Sequence, residues 1–184
     1  MASLRKLSSV ARAVAVFGVV LFAQSQVLAA DPAVDVGGQI LDVATIKDGL
    51  FPEDSCKELE ANGFKCMGVK PATRYALPAS AFKIGSAELP DQLRKQLDAF
   101  AEVLRSKNSS GRVVRIEGHT DATGSDDVNL SLSQRRAEAV KTYLVSQGAS
   151  ADTLKAVGVG SQRLKVSTDP KAAENRRVEI GRQE

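Results

Sequence analysis

Among the groups that could do chemistry in this 184-residue chain, Asp121 and Arg136 have the most suggestive placement. Asp121 follows residues 112–118, RVVRIEG, where Val114 and Ile116 alternate with charged neighbours. That pattern predicts a strand with one buried face, ending at Gly118. A helix is predicted from about Leu132, with Ser131 and Gln134 at capping-box spacing and an inward line of Leu132, Arg136, Ala139, Val140, Tyr143 and Leu144. A guanidinium on such a stripe lays its stem along the core and sends its head to a partner at the edge. The loop after the strand offers one partner, and a ligand offers another. An acid at a strand's carboxyl end and a base about one turn into the next helix can flank one crevice and hold an ammonium and a carboxylate together. The same spacing also permits an internal Asp121–Arg136 salt bridge with no ligand.

Catalytic chemistry finds no support. His119 is the only histidine, and the chain has no G-x-S-x-G, P-loop or H-E-x-x-H motif. His119 reads as a hydrogen-bonded scaffold residue that fixes its loop rather than as a catalytic base. The run GVGS from Gly158 lacks the spacing of a dinucleotide fingerprint, and Asp121, Asp126 and Asp127 lack the regular spacing of a calcium loop. We therefore expect no enzyme activity, no metal and no cofactor.

The surrounding elements follow from periodicity. Residues 73–84 are apolar but interrupted by Pro78, which confines them to an edge strand, a bulge or two short pieces. Pro90 suits the first turn of a helix whose inward face is Leu93, Leu97, Phe100, Ala101 and Leu104. Gln147 and Gly148 close the helix that carries Arg136. A third strand is predicted over 155–160 and a last one over 177–180. The order βαβαββ implies an α/β two-layer sandwich, with a mixed sheet and helices on one face.

Several short runs, taken together, resemble the OmpA C-terminal-like family, the OmpA/MotB/Pal-type module that ties outer membranes, lipoproteins and flagellar stators to peptidoglycan. They are EGHTD at 117–121, Thr123 with Gly124, Asn129 followed by Leu132, Ser133, Arg136 and Ala137, and NRRVEI at 175–180. AFKIGSAEL at 81–89 matches the family's opening strand and turn. The resemblance covers roughly residues 72–184. It implies the same sandwich fold and decides for a ligand. Residues matching Asp121 and Arg136 bind the ammonium and carboxylate of meso-diaminopimelate in a peptidoglycan stem peptide, Thr120 and Asn129 line the pocket, and an arginine of Asn175-Arg176-Arg177 contributes. Leu164 stands where the family commonly has proline, and Lys171, Ala172 and Ala173 replace its usual Gly-Arg. These departures affect the loop that presents Asn175, Arg176 and Arg177.

Residues 1–30 read as a cleaved signal peptide: Arg5, Lys6 and Arg12 with no acid, an apolar run at 13–23, then Ala29 and Ala30. Eleven apolar residues fall well short of the roughly 20 that span a bilayer. No cysteine lies at the cleavage point, so no lipid anchor is expected. Removing the three basic residues from 25 leaves 22 Lys and Arg against 22 Asp and Glu. That balance, with 4% aromatics and no Trp, argues against nucleic-acid binding. Residues 31–71 show no long periodicity and read as an extension with little core of its own. Cys56 and Cys66, the only cysteines, are expected to form a disulfide in an exported protein. The expectation is thus a periplasmic protein, associated with the outer membrane, that binds peptidoglycan and has other envelope proteins as further partners. The alternative is an envelope adaptor that keeps the fold with a vestigial pocket and docks a protein through residues 31–71.

Overall fold

The computed structural model describes residues 33–78, 82–83 and 85–183. The expected signal peptide lies outside them, as do Ala81 and Ile84 of the expected opening strand. The strands are β1 (Val34–Asp35), β2 (Tyr75–Pro78), β3 (Val114–His119), β4 (Leu154–Gly160) and β5 (Arg177–Arg182). They form one sheet in the order β1-β2-β5-β3-β4. Only β5 runs antiparallel to its neighbours, so the sheet is mixed.

Helices α1 (Val43–Leu50), α3 (Asp91–Ser106) and α4 (Asp126–Ser146) bury their apolar faces in one core with Leu77, Ile116 and Ile180 of the sheet. This is the two-layer sandwich that the element order predicts. On α3, the predicted stripe Leu93, Leu97, Phe100, Ala101 and Leu104 is fully buried, and each large side chain in it contributes about 1.5–3 kcal/mol. Pro78 lacks an amide hydrogen. It pairs with β5, and on its other side β1 reaches only Tyr75 and Ala76, so no ladder bond is lost.

The structure differs from the sequence reading in two places. First, α4 begins at Asp126, six residues ahead of the expected start, after Ser125 in extended conformation. Asp126 and Asp127 occupy its first turn, where carboxylates complement the helix dipole. Its buried line is Asn129, Ser133, Arg136, Ala137, Val140 and Leu144, while Leu132, Ala139 and Tyr143 sit at the margin. Second, residues 31–71, expected to be an extension with little core of its own, contribute to the core of the domain. Val36 and the helix α1 place Ile46, Leu50 and Phe51 in the common core. Asp42 caps α1 by accepting from Thr45 N at 2.8 Å, and Pro52 opens α2 (Pro52–Ala61). These helices have only 8 and 10 residues, too short for a periodic signal to stand out.

The first turn of α2 clamps it to the domain. Asp54 receives Arg112 at 2.9 Å and Lys107 at 2.7 Å, and Glu53 receives Arg112 and Arg182. Cys56 and Cys66 are joined in a disulfide. Thus α2 closes the end of the sheet where β3 begins and β5 ends.

Candidate ligand-binding site

At the opposite end of the sheet, where β3 ends and β5 begins, lie the residues expected to form a site. Gly118 and Gly158 seat α4 directly on the strands. A Cβ on Gly118 would lie 2.1 Å from the Ser133 carbonyl oxygen, and one on Gly158 would lie 2.6 Å from the Gln134 nitrogen. This close approach brings Asn129, Ser133 and Arg136, at i, i+4 and i+7 of the helix, over the strand ends. Thr120 is held beside them by its amide, which donates to the Gly160 carbonyl at 3.0 Å.

Asp121 does not pair with Arg136. Its Oδ1 accepts from Thr123 N at 2.9 Å, and its Oδ2 accepts from Arg176 Nη1 at 2.7 Å. Burial opposes ionisation of Asp121, but these bonds outweigh it and hold the carboxyl below its ordinary range. The Arg176 side chain keeps 34% of its surface in solvent, so the pair is reachable from outside.

Arg136 is 3% exposed. Its Nε donates to the Ser86 carbonyl at 3.1 Å, and its guanidinium lies over the Phe82 ring, 4.8 Å from the centroid. Among the described residues it has no carboxylate partner. Burial and the neighbouring Arg176 charge both lower its pKa, against a smaller opposing pull from Asp121. A cation desolvated in this way has lost hydration that an anion could replace. Two further buried groups, Thr120 Oγ1 and Asn129 Nδ2, make no hydrogen bond among the described residues. A native fold seldom leaves such atoms unmatched.

The arginines of the 175–177 run separate by role. Arg176 enters the crevice. Arg177 turns to the sheet face away from the helices, where its Nε donates to Glu179 at 2.7 Å and its Nη2 to the Arg163 carbonyl at 3.1 Å. Asn175 is fully buried. Its Oδ1 accepts from Val166 N, and its Nδ2 donates to the Val166 and Asp169 carbonyls, which shapes the loop. The structure therefore gathers Asp121, Thr120, Asn129, Arg136 and Arg176, and leaves Asn175 and Arg177 beneath them as supports. Phe82 and Ser86 contact Arg136, and Gly118 and Gly158 seat the helix that carries it. Glycine in EGHTD was the visible signal for Gly118, whereas the contact of Ser86 with Arg136 spans 50 residues and has no local signature.

The sheet face under the loop carries Glu117, His119 and Glu179, all nearly fully buried and able to converge on one point. Arg115 and Arg163 approach Glu117 at 2.5 and 2.6 Å, and Arg177 and Arg74 approach Glu179 at 2.7 and 3.4 Å. These guanidiniums take the carboxylate oxygens that a cation would need, so the cluster is an ion-pair network. His119 Nε2 stands 3.7 Å from each glutamate, too far for a hydrogen bond. Burial lowers the imidazole's pKa, and neither ring nitrogen has a hydrogen-bond partner among the described residues, so the expected hydrogen-bonded scaffold role is not seen.

Comparison with known proteins places the chain by sequence and fold. A model of the OmpA family matches residues 81–177. The peptidoglycan-associated lipoprotein of Pseudomonas aeruginosa is 38% identical over 111 residues, covering 59% of this chain and 64% of the relative. Peptidoglycan-binding protein ArfA of Mycobacterium bovis is 46% identical over 69 residues, covering 36% of this chain and 21% of the relative. Among solved structures, the peptidoglycan-associated lipoprotein from Burkholderia pseudomallei is 31% identical with a TM-score of 0.50, over 56% of this chain and 87% of that one. The chain spans less than two thirds of the length of the first curated relatives it matches. With the family model covering more than half of the sequence and the sheet, helices and crevice in place, the chain belongs to the OmpA family.

Proposed function

We propose that this protein binds peptidoglycan in the periplasm, non-covalently and without catalysis, through the crevice between the end of β3 and α4. The ligand group is the zwitterionic end of meso-diaminopimelate in a stem peptide. Asp121 takes the ammonium on the lone pairs left by Thr123 and Arg176. Arg136 takes the carboxylate on its free Nη edge, with Arg176 beside it. Thr120 and Asn129 supply the neutral donors and acceptors that orient the group. Residues 1–30 serve as a leader removed on export.

The observation that carries this reading is Arg136, a buried guanidinium with no carboxylate partner among the described residues. An internal salt bridge would have used Asp121 to neutralise it, and Asp121 is paired elsewhere. The names of the relatives supply the polymer: two are peptidoglycan-associated lipoproteins and one is peptidoglycan-binding.

Calorimetric titration with two stem peptides tests the reading, one carrying diaminopimelate and one carrying lysine at the same position. The lysine peptide lacks the carboxylate and should bind at least tenfold more weakly. Equal affinity for the two peptides sinks the diaminopimelate assignment. A mature protein that stays in the supernatant with purified sacculi at low salt sinks wall binding altogether and leaves the adaptor alternative.

A further inference from the structure

We propose that the segment after α2, tied back to that helix by the disulfide at Cys66, is a membrane-surface contact. Phe64, Met67 and Val69 enter the boundary between headgroups and acyl chains of an anionic bilayer, and Lys65 and Lys70 remain among the lipid phosphates.

The apolar groups are unusually exposed. Phe64 is 64%, Met67 92% and Val69 54% accessible, and Leu59 of α2 lies nearby in sequence at 48%. Half of the exposed large hydrophobic side chains among the described residues fall within this stretch. A side chain as free as Met67 stands on a projection rather than in a groove. A protein partner would have to supply a matching cavity, whereas a bilayer interface deforms around an apolar tip.

Charge favours the lipid. From Gly63 to Lys70 the chain carries Lys65 and Lys70, both exposed, and no acid. Lys57 on α2 is exposed as well, and of the two glutamates beside it Glu58 is held by Lys47 at 2.7 Å, which leaves only Glu60 to oppose. Lysine suits this role because its stem lies along apolar surface while the ammonium stays wet. An anionic surface attracts each such lysine enough to raise partitioning roughly fivefold.

The loop is also held in shape before it meets anything. Phe64 N donates to the Leu59 carbonyl at 3.0 Å, Cys66 is tied to Cys56, and Thr73 N donates to the Gly49 carbonyl at 2.7 Å. Little further ordering is needed on contact. Its root, α2, closes one end of the sheet through Arg112 and Arg182, and the crevice opens at the other end. At about 3.3 Å per residue, the six residues of β3 separate the two ends by roughly 20 Å, so the crevice and the loop can be engaged at once.

Sedimentation of the mature chain with vesicles tests this directly. Vesicles of phosphatidylglycerol mixed with phosphatidylcholine should bind the protein, and phosphatidylcholine alone should bind it at least tenfold less. Phe64→Ser with Met67→Ser should lower binding to the mixed vesicles tenfold or more, and Lys65→Gln with Lys70→Gln should remove the preference for anionic lipid. All four side chains are exposed, so melting temperatures should not move. Sacculus binding by the Phe64→Ser, Met67→Ser variant should match wild type, which keeps this test separate from the wall-binding reading. Failure to bind mixed vesicles, or equal binding by wild type and the Phe64→Ser, Met67→Ser variant, overturns the proposal, as does equal binding to both lipid compositions.

Discussion

Arg176 Nη1 lies 2.7 Å from Asp121 Oδ2, and this pair, rather than Asp121 with Arg136, is formed at the crevice. The next residue, Arg177, faces the other side of the sheet. Replacing each arginine with alanine should therefore give different phenotypes. Arg176→Ala removes a partly exposed ion pair, so its effect on stability should stay within about 1 kcal/mol, while stem-peptide affinity falls several-fold. Arg177→Ala leaves the buried Glu179 short of a partner and should cost roughly 3–5 kcal/mol of stability. Thermal melts beside peptide titrations separate the two, and matching profiles would contradict the division of roles.

Arg136 tests the carboxylate contact. A charge-assisted hydrogen bond contributes about 1.5–3 kcal/mol, so Arg136→Ala should weaken binding of the diaminopimelate peptide by tenfold or more. Arg136→Lys should not restore it, because lysine keeps the charge but loses both the planar fork and the stacking on Phe82. The lysine-containing peptide should bind both variants about as weakly as it binds wild type. If Arg136→Lys binds normally, the guanidinium geometry is irrelevant to the site.

Gly118→Ala should be among the most disruptive single-methyl additions in the protein. The new Cβ would meet backbone of α4 rather than a flexible side chain, at 2.1 Å. The helix must move, at a cost of about 1–3 kcal/mol or more, and Asn129 and Arg136 move with it. We expect a lower melting temperature and a larger proportional loss of ligand affinity. Unchanged melting would mean that α4 does not rest on β3 as described.

Acid should destabilise the fold in two stages. Burial works against ionisation of Glu117, but the Arg163 and Arg115 guanidiniums outweigh it and bring its pKa to about 2. Asp54 also falls to about 2, because Arg112 and Lys107 outweigh burial. Both folded pKa values are depressed from ordinary values of 4.5 and 3.8, so the unfolded chain binds the proton first. Their stabilisation is complete above pH 4.5 and is lost as pH falls toward 2. Burial also lowers His119 from 6.5, so protonation of the unfolded chain starts a shallower loss near that pH. Melting temperature against pH should show both stages, and Glu117→Gln should flatten the lower one while reducing stability at neutral pH.

Cys56 and Cys66 close a loop with a sequence separation of 10. Cys56→Ser with Cys66→Ser should remove on the order of 2–3 kcal/mol of stability and leave sacculus binding in place. Thiol titration of the unfolded, unreduced wild type should find no free cysteine. Loss of wall binding in the double variant would tie the loop to the crevice.

Much of this molecule was written in local patterns. The stripe on α3 and the alternation of Val114 and Ile116 gave helix and strand directly, because burial on one face imposes period 3.6 or 2 on the sequence. Spacing showed only that Asp121 and Arg136 could flank one crevice or pair with each other, and Thr120 and Asn129 were marked by the resemblance to the family rather than by spacing. The early start of α4 was hidden because its first two turns leave Val128 and Leu130 exposed and bury the polar Asn129 for the sake of the crevice. The choice between Arg176 and Arg177 depended on which face of the sheet each one meets, which adjacent residues of one type cannot reveal. The helices α1 and α2 earn their place through Phe51, Arg112 and Arg182, contacts made across the chain rather than along it.

The seating of α4 has one more effect, at the rim of the sheet. β4 is an outer strand, and outer strands can recruit a stranger's backbone. Here Gln134 accepts from Gly158 N at 2.5 Å and donates to the Ala156 carbonyl at 3.4 Å, and Ser133 Oγ accepts from Gly160 N at 2.9 Å. These outward backbone groups are already satisfied by the helix, and at the far rim β1 offers a strand of only two residues. Neither border gives an incoming strand a long template, so the sheet is guarded against edge-to-edge aggregation and amyloid-like growth.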